Sequence, residues 1–190
     1  MKLICGLGNP GRAYRNHRHN VGFRVLEELC RRWDAPLAQR KFDSRLGQLR
    51  LGEERVVLLE PQTFMNLSGK SVAAAAAFFK IAPQDALMVH DELDLALGRI
   101  QLKHQGGSGG HNGLNSIIER WGTSDFSRLR VGIGRPPAPS AQEEVVEYVL
   151  SNFTASEREQ LPDLFEKAAA AAQAWAEKGL AVAMNQFNRR

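Results

Sequence analysis

The sequence predicts an α/β fold: a three-layer α/β/α sandwich on a mixed, mostly parallel, twisted sheet, followed by a helical C-terminal tail. Three observations carry it. Short apolar or alternating runs take turns with helix-period segments as far as residue 134, the pattern of a sheet covered by helices. One run, ALMVH at 86–90, is apolar throughout, as suits a strand covered on both faces. Beyond the Pro-rich, linker-like stretch RPPAPS at 135–140 only helical spacing remains.

In chain order, KLIC at 2–5 is a short buried strand, and the loop GLGNPGRAYRNHRHN ends where a helix begins. Over 21–33, Val21, Val25, Leu26, Leu29, Cys30 and Trp33 fall on one 3.6-residue stripe, with Asn20 as N-cap. SRLGQLRL and RVVLLE form a hairpin turning at GEE, and PQTFMNLSG leads into the helix LSGKSVAAAAAFFK. DELDLALG connects 86–90 to the alternating strand RIQLK at 99–103. The run GGSGGHNG precedes the amphipathic helix LNSIIERW. RLRVGIG at 128–134 alternates again, with Leu129, Val131 and Ile133 on one side and Arg128, Arg130, Gly132 and Gly134 on the other. In the tail, Leu161, Leu164, Phe165, Ala168, Ala169, Ala172 and Trp175 keep helical spacing, and Gly179 is a stop.

A chain of 190 residues supports one core without staples, so residues 1–190 are expected to form a single domain. With 43% hydrophobic and 24% charged residues and a mean hydropathy of -0.33, the chain excludes wholesale disorder, a collagen-like rod and a coiled coil. No stretch approaches the roughly 18 apolar residues of a membrane helix, and MKLICGLGNPG runs straight into strand and turn chemistry. A cytoplasmic location is therefore expected. Cys5 and Cys30 sit in apolar settings and read as reduced core thiols.

The net charge of +4 is unevenly distributed. Lys and Arg outnumber Asp and Glu by 10 to 4 over 11–50 and by 6 to 2 over 98–140, whereas acids lead by 7 to 3 over 51–97 and by 8 to 5 over 141–190. Two basic segments brought together would make a field suited to a polyanion. Charge alone favours the plainer reading, a mixed and slightly cationic surface.

Two familiar patterns fail on context. GLGNPG at 6–11 matches the dinucleotide-binding glycine pattern, but Pro10 and ten further residues intervene before the helix, and no acid ends a second strand. GGSGG at 106–110 matches a serine nucleophile elbow, yet the only later histidine is His111, with no acid between, so Ser108 reads as a small loop residue. Residue type alone permits a metal site from His17, His19, His90 and Asp91. The absence of HExxH or another recognised ligand spacing argues against it, and neither metal nor cofactor is expected.

A more coherent set appears when polar residues are sorted by the strand they follow. Asn9 and His19 come after 2–5, Asn66 after 55–60, Asp91 after 86–90, and His111 with Asn112 after 99–103. In an α/β sheet, loops beyond the carboxyl ends of parallel strands converge on the ligand crevice. One imidazole, one carboxylate to orient it and several carboxamides, with no side-chain nucleophile, suit water activation and stabilisation of a carbonyl oxygen as it gains charge. Each Asn alone is better read as turn or cap chemistry.

GLGNPG with Tyr14 and His19-Asn20-Val21-Gly22, PQTFMNLSG at 61–69, HDELDL at 90–95, GGHNGL at 109–114 and RLRVGIGRP at 128–136 together resemble the bacterial-type peptidyl-tRNA hydrolases, in that family's order and near its spacing. The resemblance covers most of 3–136. It implies hydrolysis of the ester between a peptide and the 3′-terminal ribose of tRNA, by a cytoplasmic monomer without membrane association or an obligate protein partner. It implies His19 as general base, Asp91 as its orienting partner, and Asn9 as the residue that separates N-blocked from free aminoacyl groups. Tyr14, Phe64, Asn66 and Asn112 would line the site for the acylated 3′ end, with the amides assisting oxyanion or water. Lys103 and Arg130 would clamp tRNA phosphate, and His111 would take a supporting or gating place. His104-Gln105 departs from the family pattern and bears on the local loop geometry. The alternatives are a catalytically silent RNA-binding protein of the same fold and a metal-assisted hydrolase.

Overall fold

A computed structural model describes residues 1–137 and 140–188. Its sheet is laid down by β1 (Lys2–Gly6), β2 (Gln39–Lys41), β3 (Ser44–Leu51), β4 (Glu54–Pro61), β5 (Ala86–Glu92), β6 (Ile100–His104) and β7 (Ser127–Gly132). Their spatial order is β2-β3-β4-β1-β5-β7-β6. The four central strands, β4, β1, β5 and β7, run parallel, and β2, β3 and β6 add antiparallel ladders at the two flanks. The expected mixed sheet is thus present, with parallel pairing confined to its centre. The short turn after Leu51 can only return the chain antiparallel, whereas the central strands are joined through helices.

Alternation along the strands splits the core in two. Ile4, Val56, Leu58, Leu87 and Val89 pack under α1 (Val21–Trp33) and α6 (Leu161–Lys178). Leu3, Cys5, Val57, Leu59 and Met88 pack under α2 (Ser68–Phe79) and α3 (Asn112–Trp121). The tail also contains α4 (Gln142–Val149), α5 (Ala155–Arg158) and α7 (Leu180–Phe187). Asn188, just past α7, bonds both backbone groups of Leu102 at 2.8 Å, occupying ladder positions on the edge strand β6.

Gly22 decides how closely α1 meets the sheet. A Cβ there would lie 2.4 Å from the Val89 carbonyl oxygen and 2.5 Å from the Leu7 nitrogen, so only glycine lets the start of α1 press against the ends of β1 and β5.

Three expectations need correction or completion. β2 was not foreseen; it pairs through a tight turn in which Phe42 and Asp43 adopt positive φ, a turn conformation with no glycine to announce it. α3 begins at Asn112 rather than Leu114, because the His111 ring caps it. β6 runs antiparallel to β7, so His104 pairs with Ser127 at the amino end of β7. His111 therefore does not extend from the carboxyl end of a parallel strand; loop 105–111 climbs back across the sheet face to reach that end. Of the linker-like stretch 135–140, Ala138 and Pro139 lie outside the described residues, as do Arg189 and Arg190 at the end of the tail.

Candidate active site

The loop after β1 is held by its own side chains. The Leu7 N–H donates to the Val89 carbonyl at 3.0 Å. Asn20 stands at the expected N-cap position of α1 but does not cap it: its Oδ1 accepts from the Asn9 N–H and its Nδ2 donates to the Asn9 carbonyl, each at 2.9 Å. The Asn9 Oδ1 in turn accepts from the Met65 N–H at 2.7 Å. That bond settles which way the carboxamide points and leaves its NH2 as the group on offer.

A 3₁₀ turn at Arg18–Asn20 then delivers His19. Its neighbour Arg18 is buried, donating to Glu157 at 3.0 and 2.8 Å and to Ser151 Oγ at 3.1 Å, with its guanidinium over Tyr148 and Phe153 at 4.3 and 4.9 Å from the ring centres. The His19 turn is thereby tied to the helical tail. Sequence reasoning missed Arg18, whose only signal was an arginine between two histidines.

His19 is 7% exposed and Asp91 4%, and the His19 Nδ1 lies 2.9 Å from both carboxylate oxygens across 72 residues of chain. His111 shares one of these oxygens, its Nε2 2.8 Å from Asp91 Oδ1 and its ring centre 5.0 Å from that of His19, while its Nδ1 accepts from the N–H groups of Gly113 and Leu114 at 3.1 and 3.3 Å. A ring nitrogen that accepts carries no proton, so His111 is the neutral form donating through Nε2. Asp91 can only accept, so His19 donates through Nδ1 and keeps an Nε2 lone pair for the cleft it lines.

The electrostatics agree. Burial lowers the basicity of His19, but the Asp91 charge and the hydrogen bond to it outweigh burial and raise its pKa above the ordinary 6.5. Burial would raise the Asp91 carboxyl; the two imidazoles overcome this and hold it below the usual carboxylate range. His90, on the opposite face of β5, is pushed down to about 3, chiefly by burial. Its Nδ1–H donates to the Asp91 carbonyl at 2.8 Å, and its Nε2 is a buried acceptor with no partner.

A cleft of about 250 Å³ opens beside the pair, walled by Leu93 and Asp94, by Ser108 to Asn112, and by Val145, Val146 and Val149 of α4. Of the expected site residues, His19, Asp91, His111 and Asn112 meet here. Asn9 joins the Met65 turn that also carries Asn66, and Tyr14 meets Phe64 edge to face at 6.1 Å, with Phe64 54% exposed. Lys103 and Arg130 share one face of the β6–β7 ladder; Lys103 is exposed, and Arg130 donates to Glu92 at 2.8 Å and to Gln101. Glu92 accompanies this patch without a forecast from sequence. The metal set raised earlier does not assemble as written. Among the described residues, His19, Asp91 and His111 bring donor atoms within 4.8 Å of one another, and those atoms are the ones hydrogen-bonded together.

Fold and site define a class: an α/β hydrolytic enzyme with an imidazole–carboxylate pair in a polar cleft. The family model for peptidyl-tRNA hydrolase matches residues 3–190. Peptidyl-tRNA hydrolases of Syntrophomonas wolfei and Shouchella clausii are 43% and 45% identical over 99% of this chain and 100% of theirs. A crystal structure of peptidyl-tRNA hydrolase from Acinetobacter baumannii superposes with a TM-score of 0.91 at 39% identity, covering 99% of this chain and 94% of that one. The chain belongs to the peptidyl-tRNA hydrolase family.

Proposed function

We propose that this chain hydrolyses the ester between a peptide and the 3′-terminal ribose of tRNA by activating water with His19. The His19 Nε2 takes a proton from water as the oxygen attacks the ester carbonyl. Asp91 accepts from Nδ1 and stabilises the imidazolium that forms. The carbonyl oxygen gathers charge and accepts hydrogen bonds from one or more of the site's carboxamides, among which Asn112 lines the cleft. As the C–O bond breaks, the imidazolium returns its proton to the ribose oxygen, freeing tRNA and a peptide acid whose carboxyl loses water's second proton to solvent. His111 donates to the same carboxylate and helps to hold it in place. The observation that carries this is the buried His19–Asp91 contact at 2.9 Å beside an open cleft.

Asn9 supplies selectivity. Its oxygen is engaged by Met65, so it presents donors only. A carbonyl of an N-blocked aminoacyl group accepts from such donors, whereas a free ammonium, itself a donor, finds no acceptor there. Tyr14 and Phe64 flank the acylated 3′ end, and Lys103 with Arg130 takes tRNA phosphate, which provides affinity without base reading. The enzyme works as one domain over 1–190, as a cytoplasmic monomer; the described helices include none long and apolar enough to cross a membrane. A silent RNA-binding role is disfavoured by the His19–Asp91 contact beside a cleft that Asn112 also lines.

The test compares release of free peptide and intact tRNA from an N-acylated aminoacyl-tRNA with release from the unblocked form. Turnover of the blocked substrate, slow turnover of the free one and a shift of that ratio in Asn9→Asp support the proposal. Equal rates on both would overturn the role of Asn9.

A further inference from the structure

The glycine loop between β6 and α3 carries a strained backbone and few ties. Gln105, Gly106, Gly109 and Gly110 all have positive φ, and Gln105, at 43°, has a side chain where glycine would be comfortable. Its entry is pinned by the Gln105 N–H on the Phe126 carbonyl at 3.0 Å and by His104 Nε2 beside Asp125 at 2.8 Å. Its exit is pinned by the His111 N–H on the Ser108 carbonyl and by the His111 ring capping α3. Between these ends, Arg128 is the described anchor. From β7 its two terminal nitrogens donate to the carbonyls of Gly106 and Gly107. Arg128 as a whole is 4% exposed, reaches the loop's carbonyls and shares a strand face with His90. Arg128 Nε and His90 Nε2, one a donor and the other an acceptor, are both buried without partners.

We propose that Arg128 is a positioning residue: its guanidinium holds the first half of the glycine loop in place as one wall of the substrate cleft. Ser108, Gly109 and Gly110, immediately beyond the carbonyls it grips, line that cleft, and the Lys103 ammonium lies beside Gly106. The catalytic pair is not attached to this half of the loop. Loss of Arg128 therefore loosens a surface that touches substrate in ground and transition state alike, which raises KM and spares kcat. The kinetic arm rests on the proposed function; the structural arm does not.

The experiment uses the full chain as wild type, Arg128→Met and Arg128→Lys, with Lys103→Ala as the phosphate-contact control. Amide hydrogen exchange over 106–110 is expected to quicken about tenfold in Arg128→Met and less in Arg128→Lys, which keeps one donor group. KM for an N-acylated aminoacyl-tRNA is expected to rise about fivefold or more with kcat within about threefold. The salt dependence of tRNA binding should stay at the wild-type slope in Arg128→Met but flatten by about one unit in Lys103→Ala. Unchanged exchange and KM in a folded Arg128→Met would overturn the proposal, as would a flattened salt slope, which would make Arg128 a phosphate contact. A wild type that leaves the blocked substrate uncleaved would sink the proposed function, while the exchange measurement would still decide the anchor.

Discussion

Two loops bring histidines to Asp91, and they are built on opposite plans. Loop 7–20 is fixed along its length, by Leu7 on Val89, Asn20 on Asn9, Asn9 on Met65 and Arg18 on Glu157 and Ser151. Loop 105–111 reaches the same carboxylate through glycines at positive φ, held midway by one arginine. The first loop carries His19, the base of the proposed reaction. The second supplies Ser108, Gly109 and Gly110 to the wall of the cleft. A densely bonded segment and a sparsely bonded one thus share one acidic residue.

Damage on the first loop is expected to fall on the chemistry. His19→Ala is expected to lower kcat by roughly 10²–10⁴ with tRNA affinity nearly unchanged. Single-turnover rates and a binding titration check both halves, and near-normal turnover would remove the base. Asp91→Asn comes next, with kcat down on the order of 10². In the proposed reaction His19 acts as the neutral ring, and its pKa is raised, so kcat/KM is expected to fall as pH drops through that raised value. With the carboxylate gone, burial is left to dominate and the pKa falls. The acid limb of the profile then moves to lower pH even as the plateau drops, and an unmoved limb would show that Asp91 does not set His19.

Arg18→Met tests why the first loop is rigid. Glu157 keeps some contact with water, at 26% side-chain exposure, so the expected loss is about 1–3 kcal/mol, read from urea unfolding, with a smaller fall in kcat. No loss of stability would mean that the tail does not brace the turn. The smallest effect belongs to the second loop's side. Lys103→Ala should reduce the log-log salt slope of tRNA binding by about one unit, and Arg130→Ala by less, because Arg130 already spends its charge on Glu92. Equal changes would mean that Arg130 leaves Glu92 when tRNA binds.

Much of this was legible before folding. Strand periodicity gave away Leu129 and Val131 against Arg128 and Arg130, and the stripe of α1 was readable because burial on one face demands it. The polar set His19, Asp91, His111 and Asn112 was legible because few residue types activate water. Loop 105–111 was not: nothing local distinguishes an antiparallel β6 from a parallel one, and the direction of a strand is a property of its neighbours. The Asn9 carboxamide was seen as a sensor, but its donor-only face depends on the Met65 N–H, 56 residues away. Arg18 and Arg128 were hidden for the same reason: arginines read as surface until a partner far along the chain encloses them.

The central claim is that His19 offers a lone pair at Nε2 because Asp91 holds the proton at Nδ1. Nitrogen-15 NMR of the His19 imidazole across pH tests this most directly. The account predicts an Nδ1–H tautomer that titrates above 6.5, in step with the acid limb of kcat/KM. A proton found on Nε2 in the neutral ring, or a titration below 6.5 out of step with activity, would contradict it.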